Sequence, residues 1–452
     1  MKYNKIYTWA AAATLLLATS CEKIVPVDEK DPNRFPGSSE ELMIAGPELA
    51  TVMAASGEMT RIAGMYTHQF TGADRQYTSI NRYITTSGDY DNAWTSLYVD
   101  GVKQARLVQD YAINSNKKDY LGRAQILEAY LIGIATSLWG DVPFSQAANK
   151  EAYPNPKFDN QLEVYTKLQT LLDSAIVNVG SETVSGPVYV ATGVSWAELA
   201  YSLKARYYMH TGNYAQALAA AQNGVAQDWK SAHGENDGDI NLMYSFLDYY
   251  RAGYMTADGA YLPSILDTAT MNTKTIEASR FSYFYLSGGN TWYASQYDPN
   301  MSDGIFAYNQ SFVLFSVAEN QLIMAEAARR TSDNNSAVGY LNNARNYWDS
   351  FLGGDSYQDF VLADFQNGGM MNPNNLPEGD VLLKEILLEK YKALYGTIEA
   401  FNDMRRTHNL IGIPLKSGTQ YPERFLYPQE EINSNTSTPS GKTLFTKTEV
   451  NQ

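Results

Sequence analysis

The residues best placed to do chemistry are aromatic: Tyr283, Tyr285, Trp292, Tyr293 and Tyr297 fall within fifteen residues, interleaved with Ser287, Gly288, Gly289, Asn290 and Gln296. A sugar ring has an apolar C–H face and a rim of hydroxyls, so flat aromatic side chains match the face and amides or carboxylates match the rim. The alternation in residues 281–285 (FSYFY) equally describes a half-buried strand, and a strand is the reading taken there. Trp292, Tyr293 and Tyr297 follow a Gly-Gly-Asn turn that would lift them off that strand, so with Asn290 they are the candidate ligand-binding residues. Arg75, Tyr77, Arg82 and Tyr83 form a smaller polar-aromatic group, either a second wall of a site or a salt-bridged surface. The surface reading is favoured for the group, and Arg75 and Tyr77 stay as candidate ligand residues.

Other chemistries find little support. The four histidines, His68, His210, His233 and His408, are scattered with no two at metal-ligand spacing, so no metal or catalytic zinc site is predicted. No G-x-S-x-G elbow, Walker loop or G-x-G-x-x-G is present, which leaves no nucleophile or nucleotide motif to build an enzyme on. With 49 carboxylates, accidental Asp and Glu pairs are inevitable, and they carry no glycosidase reading. Asp298, Asn300, Ser302 and Asp303 before Gly304 faintly resemble a calcium loop, but the glycine is one place late and no glutamate follows at the twelfth position. An Asp-Pro-Asn turn explains them better. Glu235, Asp237 and Asp239 are discounted likewise. No cofactor is expected, and the function class is binding rather than catalysis.

The lone cysteine, Cys21, follows two basic residues, Lys2 and Lys5, an apolar run of ten residues at positions 9–18, and Thr19-Ser20. This reads as a secretory signal over residues 1–20. Ten residues at about 1.5 Å each cannot cross a hydrocarbon core of roughly 30 Å. A signal ending in Cys resembles a bacterial lipobox, in which the cysteine is lipidated and becomes the first residue of the mature chain. With no second cysteine for a disulfide, lipid attachment at Cys21 is the preferred reading. Residues 21–40 are charged and polar, a tether, and their early acids resemble the surface-export signal of Bacteroidetes lipoproteins. Losing two lysines with the signal takes the formal charge from −15 to −17. Such a balance excludes nucleic acid as partner, since phosphates need clustered Lys and Arg.

The elements that must position these residues are mostly helical. Leu127, Leu131, Ile134 and Leu138 line one helix face, closed by Gly140 and Pro143; Tyr165, Leu168, Leu172, Ala175 and Val179 line another, closed by Gly180; Trp94, Tyr98, Val102 and Ala105 line an earlier one. Residues 195–225 read as a tetratricopeptide-like helix pair turning at Gly212-Asn213-Tyr214, and residues 318–348 as a second pair. One long helix is predicted over residues 382–406. Two irregular stretches interrupt this pattern. Residues 231–310 hold ten tyrosines among many glycines, and an irregular segment of that length is more often a binding surface than a linker. Residues 353–380 form a second insert, and the Ser-, Thr- and Asn-rich tail at 434–452 reads as solvated and partly ordered.

Several blocks together resemble the SusD/RagB family of outer-membrane nutrient-binding lipoproteins: LEAYLIGIATSLWGDVPFSQA at 127–147, FDNQLEVYTKLQTLLDSA at 158–175, SFVLFSVAENQLIMAEAA at 311–328 and EKYKALYGTIEAFNDMRRT at 389–407. The Trp139-Gly140-Asp141-Val142-Pro143 turn is closer to a second branch of the family than to its starch-type members. The resemblance implies a mainly α fold, a single domain over 41–433, with tetratricopeptide-like repeats on one side and a loop-rich, minor-β ligand-facing side. It further implies a non-enzymatic, outer-membrane, outward-facing lipoprotein that captures oligosaccharide for a TonB-dependent SusC-like transporter. A peptide-capturing RagB-like lid is the alternative.

Overall fold

Helix boundaries follow the sequence punctuation closely. A computed structural model describes residues 40–236, 238–267, 272–288 and 295–452, so Cys21, Asn290, Trp292 and Tyr293 lie outside the described residues. The chain opens with α1 (Glu40–Ser56) and α2 (Glu58–Tyr66), then β1 (Thr71–Gly72) and α3 (Arg75–Asn81). The helix predicted around Trp94 is one helical run in three parts, α4 (Asp91–Thr95), a π-helical segment (Ser96–Val102) and α5 (Lys103–Asn114).

Two long helices come next, α6 (Lys118–Trp139) and α7 (Gln161–Val179), whose predicted core faces are buried and whose ends fall at Gly140 and Gly180, both at positive φ. The first repeat pair is α8 (Trp196–His210) and α9 (Tyr214–Ala221), with Ser195 and Glu198 forming a capping box at the start of α8. The second is α13 (Val317–Arg330) and α14 (Asn334–Phe351). Between the pairs come β2 (Trp229–Lys230), the one-turn helix α10 (Leu242–Tyr244), a second π-helical segment (Ser245–Tyr250), β3 (Met255–Thr256), α11 (Tyr261–Leu266), α12 (Ala278–Phe284), β4 (Tyr285–Ser287), β5 (Tyr297–Pro299) and β6 (Val313–Phe315). The C-terminal part holds α15 (Glu378–Ala393), α16 (Glu399–Arg406) and α17 (Gln429–Ser434).

The helices stack in a row. α5 packs on α6, α6 on α7, α7 on α8, α8 on α9, α9 on α13, and α13 on both α14 and α15. This is how repeat helices that cannot bury their apolar faces alone build one continuous core. Tight contacts show in Gly133, where a Cβ would meet the Tyr207 hydroxyl at 2.1 Å, while that hydroxyl donates to the Ala129 carbonyl. Residues 44–452 form one compact unit. Among the described residues strand content is small: β1–β3, β2–β6 and β4–β5 are three separate antiparallel pairs, the last in register Tyr285↔Pro299, Leu286↔Asp298 and Ser287↔Tyr297.

Three expectations give way. Residues 281–284 belong to α12, not to a strand; Phe281 N–H donates to the Glu277 carbonyl in a helical bond, and only Tyr285 enters β4. The helix predicted over 382–406 is broken between α15 and α16, where Gly396 takes a φ of +73° and its missing Cβ would stand 2.8 Å from Phe306 Cζ. The C-terminal tail is solvated over much of its length, as expected, but it is ordered by anchors at Asn435, Leu444, Thr448 and Asn451, which are buried. Leu444 and Asn451 are each 4% exposed, Val450 N–H donates to Gln161 Oε1, and Asn435 Nδ2 donates to the Pro156 carbonyl. Side-chain amides that satisfy backbone groups let a polar segment order without a large apolar face.

Candidate functional site

An open groove of about 340 Å³ lies where α1, α2 and α4 meet both π-helical segments. Its apolar lining comes from Met53, Met59, Leu242 and Phe246, and its polar lining from Glu58, Arg61, Asn92, Ser96 and Ser245, with Tyr250 on the rim. Gly57 joins α1 to α2. A Cβ there would sit 2.3 Å from the Met53 carbonyl oxygen, so the close approach that aims Glu58 and Arg61 into the groove needs glycine. Asn241 caps α10 by accepting Met243 N–H at 2.9 Å and Tyr244 N–H at 3.2 Å, and the wide turns that follow leave Tyr249 52% and Tyr250 70% exposed. Ser96 and Ser245, the first residues of the two π-helical segments, both line the groove. Such insertions recur at functional sites because they re-aim side chains within an otherwise regular helix.

The groove's wall is polar and aromatic together. The Arg61 guanidinium lies 4.0 Å from the Phe246 ring centroid, and its Nε donates to the Tyr77 hydroxyl at 3.0 Å. Burial raises the Glu58 carboxyl above its ordinary range, opposed by the Arg61 charge and reinforced by Asp89. Burial likewise raises the Tyr77 phenol, with Arg61 pulling the other way. This geometry supplies an apolar floor with hydrogen-bond donors and acceptors beside it. Among the described residues, no group of three or more His, Cys, Asp or Glu is placed to hold a metal ion.

The expected residues are distributed unevenly. Tyr77 is 3% exposed, with its ring against Phe246 at 5.1 Å and Tyr254 at 6.1 Å, so it backs the wall rather than presenting a face to a ligand. Arg75 is on the surface, as favoured: its side chain is 70% exposed, 3.7 Å from Asp74, and its guanidinium shares the Tyr254 ring with that of Arg251, at 5.8 and 5.7 Å. Tyr83 is buried and accepts the Lys416 backbone N–H. Tyr297 is half-buried in β5, its ring edge-on to Phe281 at 5.4 Å and its N–H donated to Asp258 Oδ1 at 2.7 Å. The Asp298–Asp303 turn is an Asx turn, with Asn300 Oδ1 accepting Ser302 and Asp303 N–H. Sequence reasoning missed Glu58, Arg61, Asn92, Phe246 and Tyr250. Only Tyr249-Tyr250-Arg251, inside the tyrosine-rich stretch, offered a signal.

Stacked helix pairs carrying an open, aromatic-floored groove define a binding protein scaffolded on tetratricopeptide-like repeats. The chain belongs to the SusD-like family described as starch-binding and associating with the outer membrane, whose model matches residues 45–428. Solved structures share the fold. A SusD/RagB family protein from Bacteroides thetaiotaomicron is 21% identical with a TM-score of 0.64, covering 89% of this chain and 95% of its own. A chitin-binding protein is 17% identical with a TM-score of 0.69, covering 91% and 100%. A SusD homolog from Bacteroides uniformis is 16% identical with a TM-score of 0.68, covering 91% and 99%. No curated protein matches the chain.

Proposed function

We propose that this protein is a non-enzymatic, cell-surface lipoprotein that captures oligosaccharide and passes it to a TonB-dependent, SusC-like outer-membrane transporter. The carrying observation is the groove around Arg61, where a guanidinium, a carboxyl and an amide surround an apolar floor of Phe246, Met53 and Met59. The family's description as starch-binding and the chitin-binding relative support a glycan as ligand class. In this reading Trp292, Tyr293 and Asn290 are ligand-binding residues by their sequence pattern alone, and Cys21 carries the lipid.

The test is a calorimetric screen of the purified soluble chain against glycan and peptide panels, with Arg61→Ala and Trp292→Ala beside the parent. Glycan binding, weakened about tenfold by each substitution in samples that remain folded, is the expected result, a tenfold change being about 1.4 kcal/mol. Binding confined to peptides would replace the ligand class, and cleavage of a bound glycan that is lost on mutating one carboxylate would replace the binding-protein reading.

A further inference from the structure

Arginine gathers beside the groove in a chain whose formal charge is −15. Arg61 lines the groove itself, and the rings that back its wall lead outward to two more guanidiniums. Tyr77 stands between Phe246 and Tyr254, at 5.1 and 6.1 Å, and Arg75 and Arg251 lie against the Tyr254 ring at 5.8 and 5.7 Å. The charges of Arg61 and Arg251 both act on the Tyr77 phenol. Three cations therefore flank one run of rings that begins on the groove floor.

These side chains are held in place without being neutralised. The Phe246 carbonyl accepts Arg251 N–H at 2.9 Å, and Tyr254 N–H closes a turn onto the Arg251 carbonyl at 3.0 Å, with Gly253 at a φ of +77°. The Tyr254 carbonyl in turn accepts Ala73 N–H at 2.8 Å, which ties this turn to the segment leading into α3. Arg75 sits at a φ of +47°, a conformation that a residue with a Cβ keeps only where its surroundings fix it. Arg75 pairs with Asp74 at 3.7 Å, whereas neither Arg61 nor Arg251 forms an ion pair among the described residues. Glu58, the other carboxyl at this wall, is the one whose ionised form burial disfavours. Arg61 gives its Nε to the Tyr77 hydroxyl and Arg251 gives Nη1 to the Tyr250 carbonyl, which leaves most N–H donors of both guanidiniums unused.

We propose that this site takes an acidic oligosaccharide, whose sugars carry an oxyanion as uronate carboxylate or sulfate ester, and that Arg61, Arg75 and Arg251 select it. The inference rests on the glycan capture proposed above and names its ligand class. A planar guanidinium meets either oxyanion through two parallel N–H bonds, while the floor at Phe246 suits the C–H face of the ring. At about 340 Å³ the open groove falls within the roughly 300–1,000 Å³ of small-molecule sites, and Arg75 and Arg251 stay outside it, where a chain running past the rim would meet them. The chain's overall charge does not oppose this. At physiological ionic strength, charges beyond about 8 Å are largely screened, so the local guanidiniums set the potential that a bound oxyanion meets.

The test is isothermal titration of the intact soluble chain at low and high NaCl. The probes are tetragalacturonate, which carries carboxylate alone, neocarratetraose disulfate, which carries sulfate alone, and the neutral maltotetraose, cellotetraose and chitotetraose. At least one acidic probe should bind about tenfold or more tighter than every neutral one, with an affinity that falls as salt rises, and the probe that binds identifies the oxyanion. Arg75→Gln and Arg251→Gln, at exposed positions, should each weaken that probe about threefold to tenfold and flatten its salt dependence. Arg251→Lys should restore the salt dependence, which a merely structural role for the side chain would not do. Neutral probes bound as tightly as acidic ones, or acidic binding indifferent to both Gln substitutions, would overturn the acidic ligand and leave glycan capture standing. No binding of any probe overturns the glycan reading itself, and this inference with it.

Discussion

His68 illustrates how a single residue can set a pH response without taking part in a site. It is 6% exposed, sits at a φ of +56°, and neither ring nitrogen has a hydrogen-bond partner among the described residues. Burial first, and the charge of Lys416 second, hold its pKa down to about 3. The imidazole is therefore neutral in the folded chain, while in the unfolded chain it takes up a proton near its ordinary value of about 6.5. As pH falls through this window the unfolded state binds the proton first, so stability is lost between about pH 6.5 and 3. At about pH 5 the loss from this residue should be about 2 kcal/mol. His68→Phe, which keeps a ring in the space, should abolish that part of the acid slope in urea titrations, and an unchanged slope would show that His68 is not buried neutral. Lys416, whose pKa burial lowers to about 7, acts in a higher window and does not confuse the measurement.

At the scale of elements, Gly396 is the hinge on which the sequence reading and the structure part. Residues 382–406 have helical periodicity throughout, and Gly396 alone interrupts them. An isolated glycine is tolerated inside helices, so the pattern by itself favours one helix. What ends α15 is tertiary: the backbone turns to φ +73° against Phe306. Gly396→Ala should therefore cost about 1–3 kcal/mol, from left-handed backbone strain plus the clash. Gly180→Ala, also at positive φ but with nothing within 4 Å of the added carbon, should cost about 1 kcal/mol, and equal losses in thermal melts would remove the clash from the account. The same contrast explains what was legible. Faces such as Tyr165, Leu168, Leu172, Ala175 and Val179 announce themselves, because core contact repeats with the helix period. Residues 281–284 mislead, because Phe281, Tyr283 and Phe284 meet partners from distant segments, Phe284 stacking on Tyr395 at 4.6 Å. The groove was hidden for a related reason: Glu58 and Arg61 come from α2 while Phe246 and Tyr250 come from a segment some 190 positions later, and only folding places them together.

Across the whole molecule, buried charge joins the repeat row to the segments that carry the loops. Arg280 of α12 donates to Glu389 of α15 at 2.6 Å, both side chains fully buried, and Lys392 reaches Glu277 at 2.9 Å. Arg406 of α16 and Lys390 of α15 converge on Glu326 of α13, while Glu399 accepts from His210 of α8 at 2.8 Å. The charges in residues 389–407 are thus largely internal. Glu389→Gln should destabilise by about 3–5 kcal/mol, because it leaves Arg280 buried with its main counter-charge gone. A loss below about 1 kcal/mol in denaturant would mean that water reaches the pair. No described helix is long and apolar enough to cross a membrane, and a formal charge of −15 gives an anionic surface no reason to hold the chain. In the proposed reading the holding force is acyl chain at Cys21, where each buried CH₂ contributes about 0.8 kcal/mol and more than one chain is needed for a stable anchor. Cys21→Ala should then shift the protein from the membrane to the soluble fraction. The fractionation is best done in a host lacking the SusC-like partner, so that docking to the transporter cannot retain the unlipidated chain. Retention of Cys21→Ala in those membranes at the parent level would assign anchoring to the folded chain and not to lipid.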